Sequence, residues 1–305
     1  MEFFKKKTEI DFMGLRKWTA ILSIVLFSCA MVSLVVRGLN WGLDFTGGTQ
    51  VQISYSTPAN LIQVREQLNQ AGFHEAVVQS YGTSKQALIS IAPRANEAQQ
   101  EIKTELVSAL PGASIDRMEY VGPQVGKEME TKGFLAILVA LLGTMIYIAV
   151  RFEYRFAVGS AVALVHDPVL ILGLFSFFHW ELNLNVLAAV LAVIVYSLND
   201  TIVIFDRIRE NFRKLRKGTP VEVVNLSINQ TLSRTVMTSA TTLVIVLALF
   251  IYGGSMIHGF ALALIIGIIV GTYSSIYVAG ALAVALGLNR EDLMPTIRET
   301  IDDKP

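Results

Sequence analysis

The sequence contains little charge and almost no cysteine. Only 16% of its 305 residues are charged, whereas about 25% is usual for a soluble protein, and 53% are hydrophobic. The one cysteine, Cys29, excludes an internal disulfide and leaves no thiolate cluster for a metal. Long apolar runs recur instead, which excludes an ordinary soluble protein and indicates a polytopic membrane protein.

Six apolar runs are long enough to cross a bilayer, which takes about 20 helical residues. They should be helical, because a helix satisfies its own backbone hydrogen bonds in lipid. The predicted spans are residues 18–36, 134–150, 156–178, 184–205, 236–252 and 260–286, of which the last five form a bundle over 134–286.

Lysine and arginine are concentrated on one side of these spans. They precede the first span, within residues 1–17, and follow the fourth, within the connection 206–235. The positive-inside rule therefore places both termini (1–17 and 287–305) and the loop 206–235 in the cytoplasm. The same rule places the polar stretch 38–132 on the exported, periplasmic side.

That stretch alternates between strand and helix patterns. Strands are predicted at 49–55, 76–81, 87–91 and 114–121, and helices after Pro58 and over Asn96–Leu110. The order βαββαβ predicts a ferredoxin-like α+β domain inserted after the first span, suited to binding or spacing. Glycines occur at both edges, in 37–41 and 126–132, and we expect hinges there.

Asp200 lies late in the fourth span, inside the hydrocarbon. An isolated charge there costs roughly 3 kcal/mol or more, so the carboxyl must be protonated or have a partner. A proton relay, ion coupling and a structural hydrogen bond all remain open. Tyr196 shares its helix face and Asn199 is adjacent, so both are candidates for polar support within the membrane.

Other polar residues occupy the third span and the start of the fifth. His166 and Asp167 lie about ten residues into the third span, and Pro168 after them should kink that helix or break a hydrogen bond. These two side chains either have a function or satisfy the broken backbone and each other. Arg234 either extends to lipid head groups or approaches Asp200.

The glycine-rich segment 42–49 lacks the lysine and hydroxyl residue that complete a phosphate-binding loop. Neither a catalytic triad nor a metal-ligand pattern is present. We therefore expect no cofactor, no metal, no nucleic-acid partner and no bond-making enzymatic activity.

Several segments resemble one family along nearly the whole chain. They are residues 42–49, 121–126, 196–211, 231–235 and 271–277. In order and spacing they are similar to signatures of the SecD/SecF family of protein-translocase subunits, which are related to the RND transporters. Val195 departs from this pattern, which has a glycine before the Tyr-Ser pair.

The resemblance implies a function in protein export at the inner membrane. It implies SecD, the SecYEG channel and unfolded exported polypeptides as partners, besides the lipid bilayer. With SecD, the chain would use the proton-motive force to promote translocation, with protons as the coupling ion. Asp200 falls on the family's intramembrane aspartate for proton passage, and Arg234 on the basic residue implicated beside it.

Two alternatives from other classes remain. One is an RND-like exporter subunit for lipids or small molecules, which would need a larger exported domain and usually a second six-span half. The other is a purely structural assembly subunit in which Asp200 only bonds a neighbouring helix.

Overall fold

Among the residues that the computed structural model describes, six helices are long and apolar enough to cross a membrane. The structure describes residues 8–93, 99–215 and 217–289. In chain order the elements are α1 (Arg16–Arg37), β1 (Asn40–Trp41), α2 (Leu43–Thr46), β2 (Gly48–Tyr55), α3 (Leu61–Gln70), β3 (Val77–Tyr81), β4 (Thr83–Ile91), α4 (Gln99–Ala109), β5 (Ala113–Val121), α5 (Pro123–Arg151), α6 (Tyr154–Phe178), β6 (Glu181–Leu182), α7 (Leu184–Lys214), α8 (Pro220–Tyr252), α9 (Ser255–Tyr273), a π-helical segment (Ser274–Ala279) and α10 (Gly280–Ala285).

The candidate spans are α1, α5, α6, α7, α8 and the continuous run from α9 to α10. The predicted connection 206–235 is mostly helical, because α7 continues to Lys214 and α8 begins at Pro220. The hydropathy pattern detects only the apolar part of each helix. At the polar ends, Lys214 pairs with Glu210 one turn earlier, and Thr219 begins α8 with a capping box.

The small domain contains one antiparallel sheet with strand order β3-β4-β2-β5. Helices α3 and α4 pack on it through a shared apolar core that includes Val51, Leu68, Phe73, Ile89 and Leu106. This arrangement is consistent with the predicted ferredoxin-like βαββαβ order. The first residues predicted for the second helix, from position 96, lie outside the described residues.

The base of the domain packs tightly against the helical bundle. An added Cβ on Gly126 would lie 2.7 Å from the Phe45 carbonyl oxygen and 2.8 Å from the Gly47 nitrogen. Residues 126–132 lie within α5, so the hinge predicted there is wrong: the glycine permits close packing rather than bending. At the other edge, Gly38 has a φ of 68°, which favours glycine.

Two further contacts join the domain base to the bundle. Strand β1 pairs in parallel with β6, which lies between α6 and α7. The Leu184 amide at the start of α7 donates to Oδ2 of Asp44, over 2.8 Å. The glycine-rich segment around α2 is therefore a connector between the domain, α5 and α7.

Candidate intramembrane site

Asp200 lies on the inner side of α7 and is only 3% exposed. Its Oδ2 atom is buried and has no hydrogen-bond partner in the described part of the chain. Buried polar atoms are normally paired, and each exception needs an explanation. A carboxyl oxygen left free within a helical bundle is suited to accept or carry a proton.

Arg234 lies on α8, 14 residues after Pro220, or about 21 Å along the helix axis at about 1.5 Å per residue. Its side chain is exposed, and it interacts with Asp200 electrostatically. The ion pairs of the described residues do not include a direct one between these two groups. Arg234 is therefore close enough to influence Asp200 through its charge, without a direct ion pair between the two side chains.

His166 and Asp167 are both buried in the middle of α6, and their side chains bond each other. Nδ1 of His166 lies 3.0 Å from Oδ1 of Asp167. Oδ2 of Asp167 accepts hydrogen bonds from Ser197 on α7, over 2.5 Å, and from Ser274 of the π-helical segment, over 2.9 Å. We call these four residues the Asp167 cluster. The serines satisfy the carboxylate, whereas Nε2 of His166 is buried without a partner in the described region.

A second set of hydroxyl groups extends from this cluster to Thr201, the residue that follows Asp200 on α7. Thr201 and Ser275 lie 2.8 Å apart between their hydroxyl oxygens, and Ser275 donates to the Ser197 carbonyl over 3.1 Å. The π-helical segment places the Ser274 hydroxyl against Asp167 of α6 and the Ser275 hydroxyl against α7. Such segments often occur at functional sites.

The G-x-x-x-G pattern of α9 brings these helices together. An added Cβ on Gly271 would lie 2.9 Å from the Ser197 Cβ, and one on Gly267 would lie 2.8 Å from the Val193 Cγ1. These contacts are the close helix packing that such a pattern favours. It brings the π-helical segment, which directly follows α9, within hydrogen-bonding distance of α7.

The remaining candidates lie on different sides of α7. The Tyr196 hydroxyl donates to Ser239 of α8 over 3.4 Å, and Ser239 in turn lies 2.8 Å from the Thr272 hydroxyl of α9. Asn199 is exposed on the outer side of the bundle, away from buried Asp200. The Val195 side chain is 61% exposed and lies on the outer side of the bundle.

Reasoning from sequence singled out both carboxylates but not the serines that bind one of them. Ser197 and Thr201 are four residues apart on α7, and the pair Ser274-Ser275 interrupts the last apolar run. Hydroxyl groups at helical spacing in two apolar runs are the signal that could have found them. Among the described residues, no group of three histidine, cysteine or acidic residues is arranged to hold a metal.

The fold and these buried polar groups define a multi-pass helical membrane protein with an inserted α+β domain. The family model "Protein export membrane protein SecD/SecF, C-terminal" matches residues 101–289, and "SecD/SecF GG Motif" matches residues 32–59. The chain belongs to the SecD/SecF family.

Proteins named "Protein translocase subunit SecF" are similar over nearly the full length. The one from Vibrio alginolyticus is 48% identical, over 96% of this chain and 95% of its own. The one from Pseudomonas aeruginosa is 47% identical, over 97% and 98%. The one from Escherichia coli O157:H7 is 44% identical, over 93% and 90%.

Two crystal structures of SecDF are also similar. The first, described as a translocon-associated membrane protein from Thermus thermophilus, is 38% identical with a TM-score of 0.85. The second, a super-membrane-facing form, has a TM-score of 0.70 at the same identity. Each match covers 93% of this chain and 39% of the SecDF chain, so the present chain corresponds to about two fifths of SecDF.

Proposed function

We propose that this chain is an auxiliary subunit of the Sec protein-export machinery that, with SecD, uses the proton-motive force to promote polypeptide translocation across the inner membrane. Its partners would be SecD, the SecYEG channel and unfolded exported polypeptides, and protons would be the coupling ion. Both termini would be cytoplasmic and the α+β domain periplasmic, as the distribution of lysine and arginine favours.

The observation that carries this proposal is the unpaired Oδ2 atom of Asp200. A purely structural aspartate would use its carboxyl oxygens to bond a neighbouring helix, because a free polar atom in a bundle interior is costly. Oδ2 makes no such bond within the described residues. A protonation site instead needs a carboxyl oxygen that is not already occupied by a hydrogen-bond donor, and Oδ2 of Asp200 meets that condition.

Asp167 provides the comparison within the same bundle. Its Oδ2 receives two serine hydroxyl groups and its Oδ1 faces His166. That carboxyl is fully engaged, as expected of a group that holds helices together. The contrast between these two buried carboxyls favours Asp200 as the one that exchanges protons.

A change in the position of the α+β domain would couple protonation to polypeptide movement. Two SecDF structures, one of them described as a super-membrane-facing form, match this chain with TM-scores of 0.85 and 0.70. In the present chain the domain base is connected to α5 and α7, and α7 contains Asp200. A shift of α7 would therefore be transmitted to the domain through the Asp44–Leu184 hydrogen bond.

The experiment that tests this function is reconstitution of export in vesicles. The tagged chain is first purified in mild detergent, and we expect SecD and the SecYEG channel to copurify with it. Vesicles that contain the channel alone are then compared with vesicles that also contain this chain and SecD, the SecD pair. The measurement is translocation of an unfolded precursor under an imposed proton gradient. Translocation that does not respond to the gradient, or to the presence of the pair, would contradict the proposal.

A further inference from the structure

A long apolar cleft of about 940 Å³ opens on the membrane face of the bundle beside α1. Its walls come from α1 on one side and from α5, α6 and α10 on the other. Small residues, including Ala20, Ala161 and Ala281, occupy positions where larger side chains would close it. The volume lies within the range of about 300–1,000 Å³ that is typical of ligand sites.

The cleft exists because α1 and α6 pack tightly at only one end. An added Cβ on Gly173 would lie 2.7 Å from the Cα of Ala30, and the Ser33 hydroxyl donates to that of Ser176 over 3.0 Å. Towards the beginning of α1 the two helices are separated by the cleft. The opening is therefore built into the helix packing.

The two ends of the cleft differ in chemistry. Arg16 and Lys17 line one end, and none of the described residues that line the cleft is acidic. Phe27 and His166 line the other end, with their rings stacked at 6.2 Å between centroids and 9° between planes. From Arg16 to Phe27 the helix rises about 16 Å, which is roughly half of a hydrocarbon core of about 30 Å.

These dimensions match one leaflet of a bilayer. We propose that the cleft binds one anionic phospholipid, with its phosphate at Arg16 and Lys17 and an acyl chain along the alanine-lined wall. The chain end would lie against the stacked rings of Phe27 and His166. Two cations at the membrane surface favour an anionic head group over a zwitterionic one.

The bound acyl chain would also lie against His166, the member of the Asp167 cluster that lines the cleft. Nε2 of His166 is buried and without a partner in the described region, and the ring lines the cleft. His166 is only 4% exposed without a lipid, and an acyl chain in the cleft would keep that small exposed part in contact with hydrocarbon. The lipid would thereby hold the His166–Asp167 pair in an apolar surrounding.

The test is native mass spectrometry of the full chain, released from nanodiscs that contain phosphatidylglycerol or phosphatidylcholine. For the wild-type chain we expect one retained phosphatidylglycerol. The double variant Arg16→Gln, Lys17→Gln should lower its retention roughly tenfold or more and leave that of phosphatidylcholine almost unchanged. The control Arg207→Gln, Lys214→Gln removes two cations outside the cleft and should retain the lipid.

Steric variants test the acyl-chain part of the proposal. Ala161→Phe, on α6, fills the cleft and should abolish retention of both lipids. Ala20→Phe fills the same space from α1, so the test remains if one variant does not fold. Ala240→Phe, on the exposed face of α8, is the matched control. Equal retention in cleft and control variants, whether high or low, would overturn the proposal.

Discussion

The Ser197 hydroxyl of α7 donates a 2.5 Å hydrogen bond to Oδ2 of Asp167 on α6. With the bond from Ser274, this carboxyl joins α6, α7 and the π-helical segment at a single atom. Loss of either serine should leave the buried oxygen with one donor fewer.

Removal of these hydroxyl groups should destabilise the bundle. We expect Ser197→Ala and Ser274→Ala each to lower the free energy of unfolding by about 1–3 kcal/mol, because a buried acceptor loses a donor. The check is thermal unfolding in detergent. Thr241→Ala is the control, because its hydroxyl is exposed and bonds only carbonyls of its own helix. A Ser274→Ala protein as stable as the control would show that the π-helical segment does not depend on Asp167.

Sequence and structure agree on the part of this architecture that depends on hydropathy. The apolar runs identify six spans, since each must satisfy its backbone in lipid. Helices α7 and α8 are longer than the spans predicted from hydropathy, because their polar ends depend on caps and ion pairs rather than on apolar content. The sequence Thr219-Pro220-Val221-Glu222 does contain the capping-box signal for the start of α8.

Asp200 could be singled out from the sequence because its position within an apolar run is a local property. The bonds that Ser197 and Ser274 donate to Asp167 could not, because they depend on which faces of α6, α7 and the π-helical segment meet. The hinge prediction at 126–132 fails for the same reason. A glycine can permit either a backbone bend or a close contact between segments, and at Gly126 the nearby Phe45 backbone shows that it permits a close contact.

Arg234 should act on Asp200 by charge rather than by a fixed pair. We expect Arg234→Lys to retain most of the proton-dependent stimulation of export and Arg234→Ala to lose it. A lysine preserves the charge but not the planar, two-pronged geometry of a guanidinium. The measurement is translocation in vesicles under an imposed gradient. If lysine proves as harmful as alanine, Arg234 acts through a specific contact instead.

Glu181 should make stability depend on pH at the domain base. Burial, and secondly the nearby Asp44 carboxylate, raise the pKa of Glu181. A raised pKa in the folded state means that stability falls as pH rises through that range. We therefore expect Glu181→Gln to be more stable than wild type at neutral pH and above. The difference should shrink below the ordinary glutamate pKa of about 4.3.

Unfolding at several pH values checks this prediction, with exposed Glu75→Gln as the control. A constant difference between Glu181→Gln and wild type at every pH would mean that the carboxyl does not titrate with folding.

Locking the α+β domain to the bundle should slow export. The Arg117 guanidinium on β5 lies 3.7 Å from the Met256 sulfur on α9, so this pair spans the gap between domain and membrane helices. In a Cys29→Ser background, cysteines at both positions are joined by a short bifunctional reagent. We expect slower export with intact SecD association, whereas the single-cysteine proteins should be unaffected. Unimpaired export after complete cross-linking would indicate a static domain.

The most direct measurement is proton flux through vesicles that hold the purified complex with Asp200→Asn. The amide preserves shape and hydrogen-bonding ability but cannot carry a proton. Asp206→Asn is the matched control, because that carboxyl lies on the same helix but is exposed and pairs with Arg151. We predict that Asp200→Asn inserts normally and abolishes both proton flux and gradient-driven export, while Asp206→Asn retains both. Wild-type flux and export with Asp200→Asn would contradict a proton-carrying role for this residue.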